Sequence, residues 1–117
     1  MAAAPIVFFD IAGPDPDKQR SFYADIFGWD SDPRGNLEVP VISTRLKGLL
    51  RTDPADCMIY FGVPDVAATL AKIEAAGGVV HMKRTEVKGV VVLGLFADPA
   101  GNHLGVVEMD GDTTKIP

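Results

Sequence analysis

Few side chains in this 117-residue chain have types and placing that could do chemistry. His103 comes directly after Asp98-Pro99-Ala100-Gly101-Asn102. That run predicts a tight turn, because Pro99 presets φ and Gly101 and Asn102 tolerate left-handed conformations. A strand should follow, with side chains alternating between two faces. Leu104 and Val106 fall on one face; His103, Gly105 and Val107 fall on the other. The apolar face is expected to pack on a helix. The face with an imidazole and a space-leaving glycine is where a ligand is expected. An imidazole there could serve as a general base, oriented by Asp10 or Tyr60.

Asp10 lies inside the apolar run 6–11, sharing a face with Ile6 and Phe8. A carboxylate is costly to bury unpaired, so Asp10 should face water, a partner or a ligand. Met58, Tyr60 and Gly62 share one face of a strand predicted over 57–63. Arg45 could hold an anion but reads more simply as a solvated edge charge. His81, alone in the strand predicted over 79–83, reads as a satisfied or surface histidine.

The net charge of −5 leaves no basic stripe for phosphates, which argues against a nucleic-acid partner. Cys57 is the single cysteine, so neither an internal disulfide nor a cysteine zinc cage can form, and a reducing cytoplasm is expected. The N-terminus lacks the basic region of a signal peptide, and no apolar run approaches the ~20 residues that span a bilayer, so no membrane role is expected.

These residues need a frame. Asp15-Pro16-Asp17 predicts a helix start, and Phe22, Tyr23, Ile26 and Phe27 form an apolar stripe expected to be core. Gly28 predicts a left-handed stop, with Trp29 folding back. Short strands are predicted at 37–39, 41–44 and 47–51, with Pro40 at an edge or bend. Pro64-Asp65 opens a second helix with Val66, Leu70 and Ile73 on one face and Gly77-Gly78 at its end. A buried strand is predicted over 90–97, and residues from Asp110 onward read as a polar tail.

Strand, break, capped helix, glycine stop and short strands occur twice, which predicts a duplicated β-α-β-β-β unit. Each helix should cover one sheet face, leaving the other for a ligand. With these features the chain resembles the glyoxalase/bleomycin-resistance/extradiol-dioxygenase group, the vicinal oxygen chelate superfamily. The resemblance rests on Phe9-Asp10-Ile11 leading to Ser21-Phe22-Tyr23-Ala24-Asp25-Ile26-Phe27-Gly28-Trp29, on Val63-Pro64-Asp65-Val66 running to Ala76-Gly77-Gly78, and on Asp98-Pro99-Ala100-Gly101-Asn102.

The resemblance implies an α+β fold: two β-α-β-β-β modules in a cupped, partly closed mixed sheet with helices outside. Residues 1–117 would be one glyoxalase-like domain, with module one at about 6–51 and module two at about 57–108. It also implies a homodimer. Enzymes of the group bind a divalent metal, and their ligand positions carry over to Phe8, Met58, Gly105 and a fourth place within 47–51. Phenyl and glycine offer no donor, and a thioether is a soft one, so no metal and no cofactor are expected. What remains is a groove of Phe8, Asp10, Met58, Tyr60, His103 and Gly105. The function so implied is metal-free binding of a small organic ligand, cationic ones included, with Asp10 as charge partner. The alternative is a lyase- or dioxygenase-type enzyme, either metal-free with His103 as base or metal-dependent with other ligands.

Overall fold

The computed structural model describes residues 3–41 and 45–117. In order, the chain forms β1 (Ile6–Gly13), α1 (Pro16–Phe27), β2 (Asn36–Pro40), β3 (Arg45–Thr52), β4 (Asp56–Val63), α2 (Val66–Ala75), β5 (Val79–Val87), β6 (Val91–Ala97), β7 (His103–Asp110) and β8 (Thr113–Thr114). The fold is α+β: two helices lie outside a mixed, unclosed sheet of eight strands.

Both helices begin at the predicted caps. The Asp15 carboxylate accepts from the Lys18 N–H at 3.2 Å, and Asp65 accepts from the Ala68 N–H at 2.9 Å. Gly28 ends α1 at a φ of 70°, and its N–H and that of Trp29 return to the carbonyls of Ala24 and Tyr23.

The chain divides into two compact units, Phe8–Ile59 and Tyr60–Pro117 with Met1–Val7. In the first, β2 pairs antiparallel with β3, and β3 pairs parallel with β1. Its core is Leu37, Val39 and Leu50, joined by Phe9, Ile11, Tyr23 and Trp29. The Phe9 ring lies where a side chain on Gly48 would go, and the two residues are register partners. In the second unit, β4 pairs parallel with β7, followed by β6 and β5 in antiparallel pairing. Its core joins Val63, Val66, Leu70, Phe96 and Val106. Gly94 lets α2 approach: a Cβ there would stand 2.7 Å from Leu70 Cδ1.

Two details differ from the sequence reading, the α1 stripe and the C-terminal tail. Between β1 and β4, β2 and β3 form where strands are expected at 37–39 and 47–51, and Pro40 ends β2. Of the strand expected at 41–44, residues 42–44 lie outside the described residues, as does the Arg45 side chain. The α1 stripe is not core. Phe22, Ile26 and Phe27 are 51%, 61% and 59% exposed, and Tyr23 carries the packing by stacking on Trp29 at 5.6 Å. Finally, the residues after Asp110 turn back as β8 on β7, with Met109 opposite Thr114.

The turn before β7 has a twin. Asp32-Pro33-Arg34-Gly35-Asn36 and Asp98-Pro99-Ala100-Gly101-Asn102 close in the same way. Each Asp accepts from two backbone N–H groups and from the Asn side chain, at 2.9–3.0 Å. Asn36 and Asn102 are the main cause that holds both carboxyls below the usual range. Gly35 and Gly101 supply the positive φ, 88° and 95°.

Candidate functional site

The candidate site is the sheet face of the second unit that turns away from α2. Alternation along β7 sends Leu104 and Val106 into the core under α2, so His103, Gly105 and Val107 lie on the other side. Along β6, Phe96 joins that core, which leaves Leu93, Leu95 and Ala97 on the far side. Register pairs Ala97 with His103, Leu95 with Gly105, and Leu93 with Val107. The face is therefore apolar along most of its length, with half-buried leucines and the imidazole of His103 at one end.

Gly105 does not leave the expected open space. A Cβ there would stand 2.4 Å from Tyr60 Cδ1, so the Tyr60 ring covers the bare backbone of its register partner. That ring is 8% exposed and forms part of the floor.

His103 is not alone. Its ring centroid lies 5.0 Å from that of His81, with 32° between the planes. β5 changes register against β6 between Val80 and Met82, which makes His81 a bulge residue, and bulges re-aim side chains. The sequence reading left His81 as a satisfied or surface residue; it is exposed, and no short spacing links two histidines separated by β6, so their meeting depends on the sheet.

Glu108 lies on the helix side and is buried. Its Oε2 accepts from Arg84 Nε at 3.0 Å and from the Val66 N–H at 3.0 Å, while Oε1 accepts from Arg84 Nη2 at 2.9 Å and Lys115 Nζ at 3.3 Å. Arg84 is the main cause that pulls the Glu108 carboxyl down to about 2, against the opposing effect of burial; the Val66 N–H and Lys115 add to it. This carboxylate ties β5 and the start of α2 to β7, and so fixes the strands that carry both histidines.

The remaining expected residues lie in the first unit. Asp10 is buried and accepts from Arg51 Nε at 2.9 Å. Arg51 also donates to Asp53 at 3.2 Å and Asp56 at 3.1 Å. Burial works against the Arg51 cation, but the hydrogen bonds to Asp10 and its neighbours outweigh it and raise its pKa. Asp10 is thus one arm of an internal charge cluster. Phe8 and Met58 are half-buried on β1 and β4. Beside α1 lies an open groove of about 430 Å³ whose lining includes Arg20, Asp25, Asp30 and Asp32. Arg20 is already engaged there by Asp17 and the Pro33 carbonyl, and Asp32 by its own turn.

Of the positions that the resemblance carries over as metal ligands, Phe8 and Gly105 bring no donor atom and Met58 a soft thioether, and 47–51 holds two cations, Lys47 and Arg51, with no carboxylate or imidazole. In the second unit, Tyr60 covers Gly105. Among the described residues, no group of three or more His, Cys, Asp or Glu is placed to hold a metal ion. None of the helices described is long and apolar enough to cross a membrane.

Comparison with known proteins gives three results. Residues 6–107 match the family model described as a glyoxalase-like domain. The anthracycline biosynthesis protein DnrV of Streptomyces peucetius is 30% identical over 138 aligned positions, covering 94% of this chain and 50% of DnrV; DauV of Streptomyces sp. (strain C5) is 29% identical with the same coverage. The chain thus spans half the length of these relatives. Among solved structures, methylmalonyl-CoA epimerase of Streptomyces coelicolor superposes with a TM-score of 0.68 at 20% identity, over 99% of this chain and 100% of that one. A glyoxalase/bleomycin resistance protein/dioxygenase superfamily member from Vibrio splendidus 12B01 gives 0.60 at 11% identity, over 92% and 100%. These likenesses concern the fold.

Proposed function

The chain belongs to the glyoxalase-like domain family, and from that premise we propose that it binds a small, largely apolar organic molecule without a metal at the family's ligand positions. The ligand rests on the far face of the second unit, on Tyr60, Leu93 and Leu95, with its polar end toward His103. The observation that carries this reading is the Tyr60 ring over Gly105: the position that the resemblance carries over as a metal-binding carboxylate is here covered by an aromatic ring. Asp10 is no longer the charge partner, because Arg51 holds it. DnrV and DauV, named for anthracycline biosynthesis, make planar polycyclic aromatics the first ligands to test.

A homodimer belongs to the same reading. The exposed Phe22, Ile26 and Phe27 offer an apolar surface for it to bury. A cytoplasmic location is the companion proposal, supported by Cys57 being a free, exposed thiol.

The second reading is proton-transfer catalysis with His103 as base. It is favoured by the neighbouring imidazole of His81, which could take on the proton.

A thermal-shift panel of polycyclic quinones, cationic glycopeptides and acyl-CoA esters tests the proposal. A ligand present at 100 times its Kd adds about 2.7 kcal/mol to stability, so a true ligand raises the Tm measurably. Leu95→Asp should abolish the shift. No shift from any compound, or a shift that survives Leu95→Asp, would overturn the proposal.

A further inference from the structure

We propose that His81 and His103 chelate one late first-row transition-metal ion, with the remaining coordination positions open to water or to oxygen donors of a small molecule. This site is separate from Phe8, Met58 and Gly105, and it does not depend on the ligand-binding reading.

The geometry comes from the sheet. β5 and β7 flank β6, so their backbones run roughly 10 Å apart and two side chains must lean inward to meet. The bulge re-aims His81. His103 pairs with Ala97, whose methyl is small, while His81 has no register partner and lies between the pairs Val80–Phe96 and Met82–Leu95. The centroids come to 5.0 Å.

That distance suits a shared ion. With a metal–nitrogen bond of about 2.0–2.1 Å, each ring centroid lies roughly 3.2 Å from the metal, so the right angle of a tetragonal ion separates the centroids by about 4.5 Å and a tetrahedral angle by about 5.2 Å, which brackets the pair. Both imidazoles are exposed, so an ion can reach them without opening the fold. On the opposite side of the sheet, an ion pair of 2.9 Å between Arg84 and Glu108 ties the two outer strands together, which pre-orients the pair. No third His, Cys, Asp or Glu among the described residues completes a set, so an ion here keeps at least two exchangeable positions. Imidazole donors favour copper(II) over nickel(II) and zinc(II) and hold magnesium or calcium poorly.

Calorimetric titration with copper(II), nickel(II) and zinc(II) chlorides, in a non-chelating buffer at neutral pH, tests the site. The expected result is one ion per chain, copper bound tightest, and an electron paramagnetic resonance spectrum of the copper form showing two equivalent nitrogens. His81→Gln and His103→Gln should each weaken binding by about tenfold or more, since either loss removes the chelate. Cys57→Ser should leave binding unchanged. Unchanged affinity in either histidine variant, loss in Cys57→Ser, one ion per two chains, or a single coordinated nitrogen would each overturn the proposal. Both histidines are exposed, so circular dichroism of the variants should match the parent protein and keep every outcome interpretable.

Discussion

Gly105→Ala is the sharpest probe of the candidate face. Gly105 has no left-handed φ, so alanine suits its backbone, and in an open strand the change would stabilise by about 0.5–1 kcal/mol. Tyr60 reverses that expectation. The new methyl carbon would stand 2.4 Å from Cδ1, 2.6 Å from Cε1 and 3.4 Å from Leu95 Cδ2, so the ring must shift by more than 1 Å from a site where it is 8% exposed. Overpacking of this kind costs about 1–3 kcal/mol. In a Tyr60→Val background the ring is gone, and the same Gly105→Ala change should be neutral or mildly stabilising. The double-mutant cycle therefore predicts a coupling of about 1–4 kcal/mol, read from urea unfolding monitored by circular dichroism. Equal destabilisation in both backgrounds would refute the placing of Tyr60 over Gly105, and with it the aromatic floor.

Other consequences follow from the charged groups and the exposed helix. Glu108→Gln should lose about 1–3 kcal/mol at neutral pH. The Glu108 pKa is lowered in the fold, so its stabilisation is complete above about 4.5 and fades as pH falls toward about 2; urea midpoints of parent and variant should converge over that window. Arg51→Met removes the cation from buried Asp10 and should cost about 3–5 kcal/mol, part of which Asp10→Asn restores in the double variant, by the same unfolding assay. Phe22→Lys with Phe27→Lys should change the Tm little but convert the proposed dimer to monomers in size-exclusion chromatography with light scattering; a dimer unaltered by the change would remove α1 from the interface, and a monomeric parent chain would remove the dimer itself.

The frame was legible because its signals are local. Asp15 and Asp65 cap helices, Gly28 stops one, and the alternation of β7 assigns His103 and Val106 to opposite faces. What stayed hidden depends on partners distant in sequence. Asp10 demanded a partner, but nothing local points to Arg51, 41 positions away. The space beside Gly105 is real in the strand alone; a cross-strand ring fills it. His81 reaches His103 only because a bulge, invisible to hydrophobic pattern, turns it inward. The α1 stripe misled for another reason. Apolar residues at helical spacing show that one face avoids water, not which surface covers it, and here Tyr23 alone reaches the core of its unit.

Tyr60 also limits what a carboxylate introduced at 105 could do. A carboxylate at 105 needs a Cβ, and the Cβ must occupy the volume of the Tyr60 ring. Gly105→Glu alone should therefore disturb the floor without building a site, because a single carboxylate does not supply the set of oxygen donors that a hard cation needs. Manganese(II), which prefers oxygen ligands and takes little from the two histidines, separates the cases. Its calorimetric titration should be as weak for Gly105→Glu as for the parent chain, and circular dichroism should show the variant less stable. Tight manganese binding by that single variant would mean that the ring yields readily, and that the apolar character of the face follows from one missing side chain rather than from the packed pair of Tyr60 and Gly105.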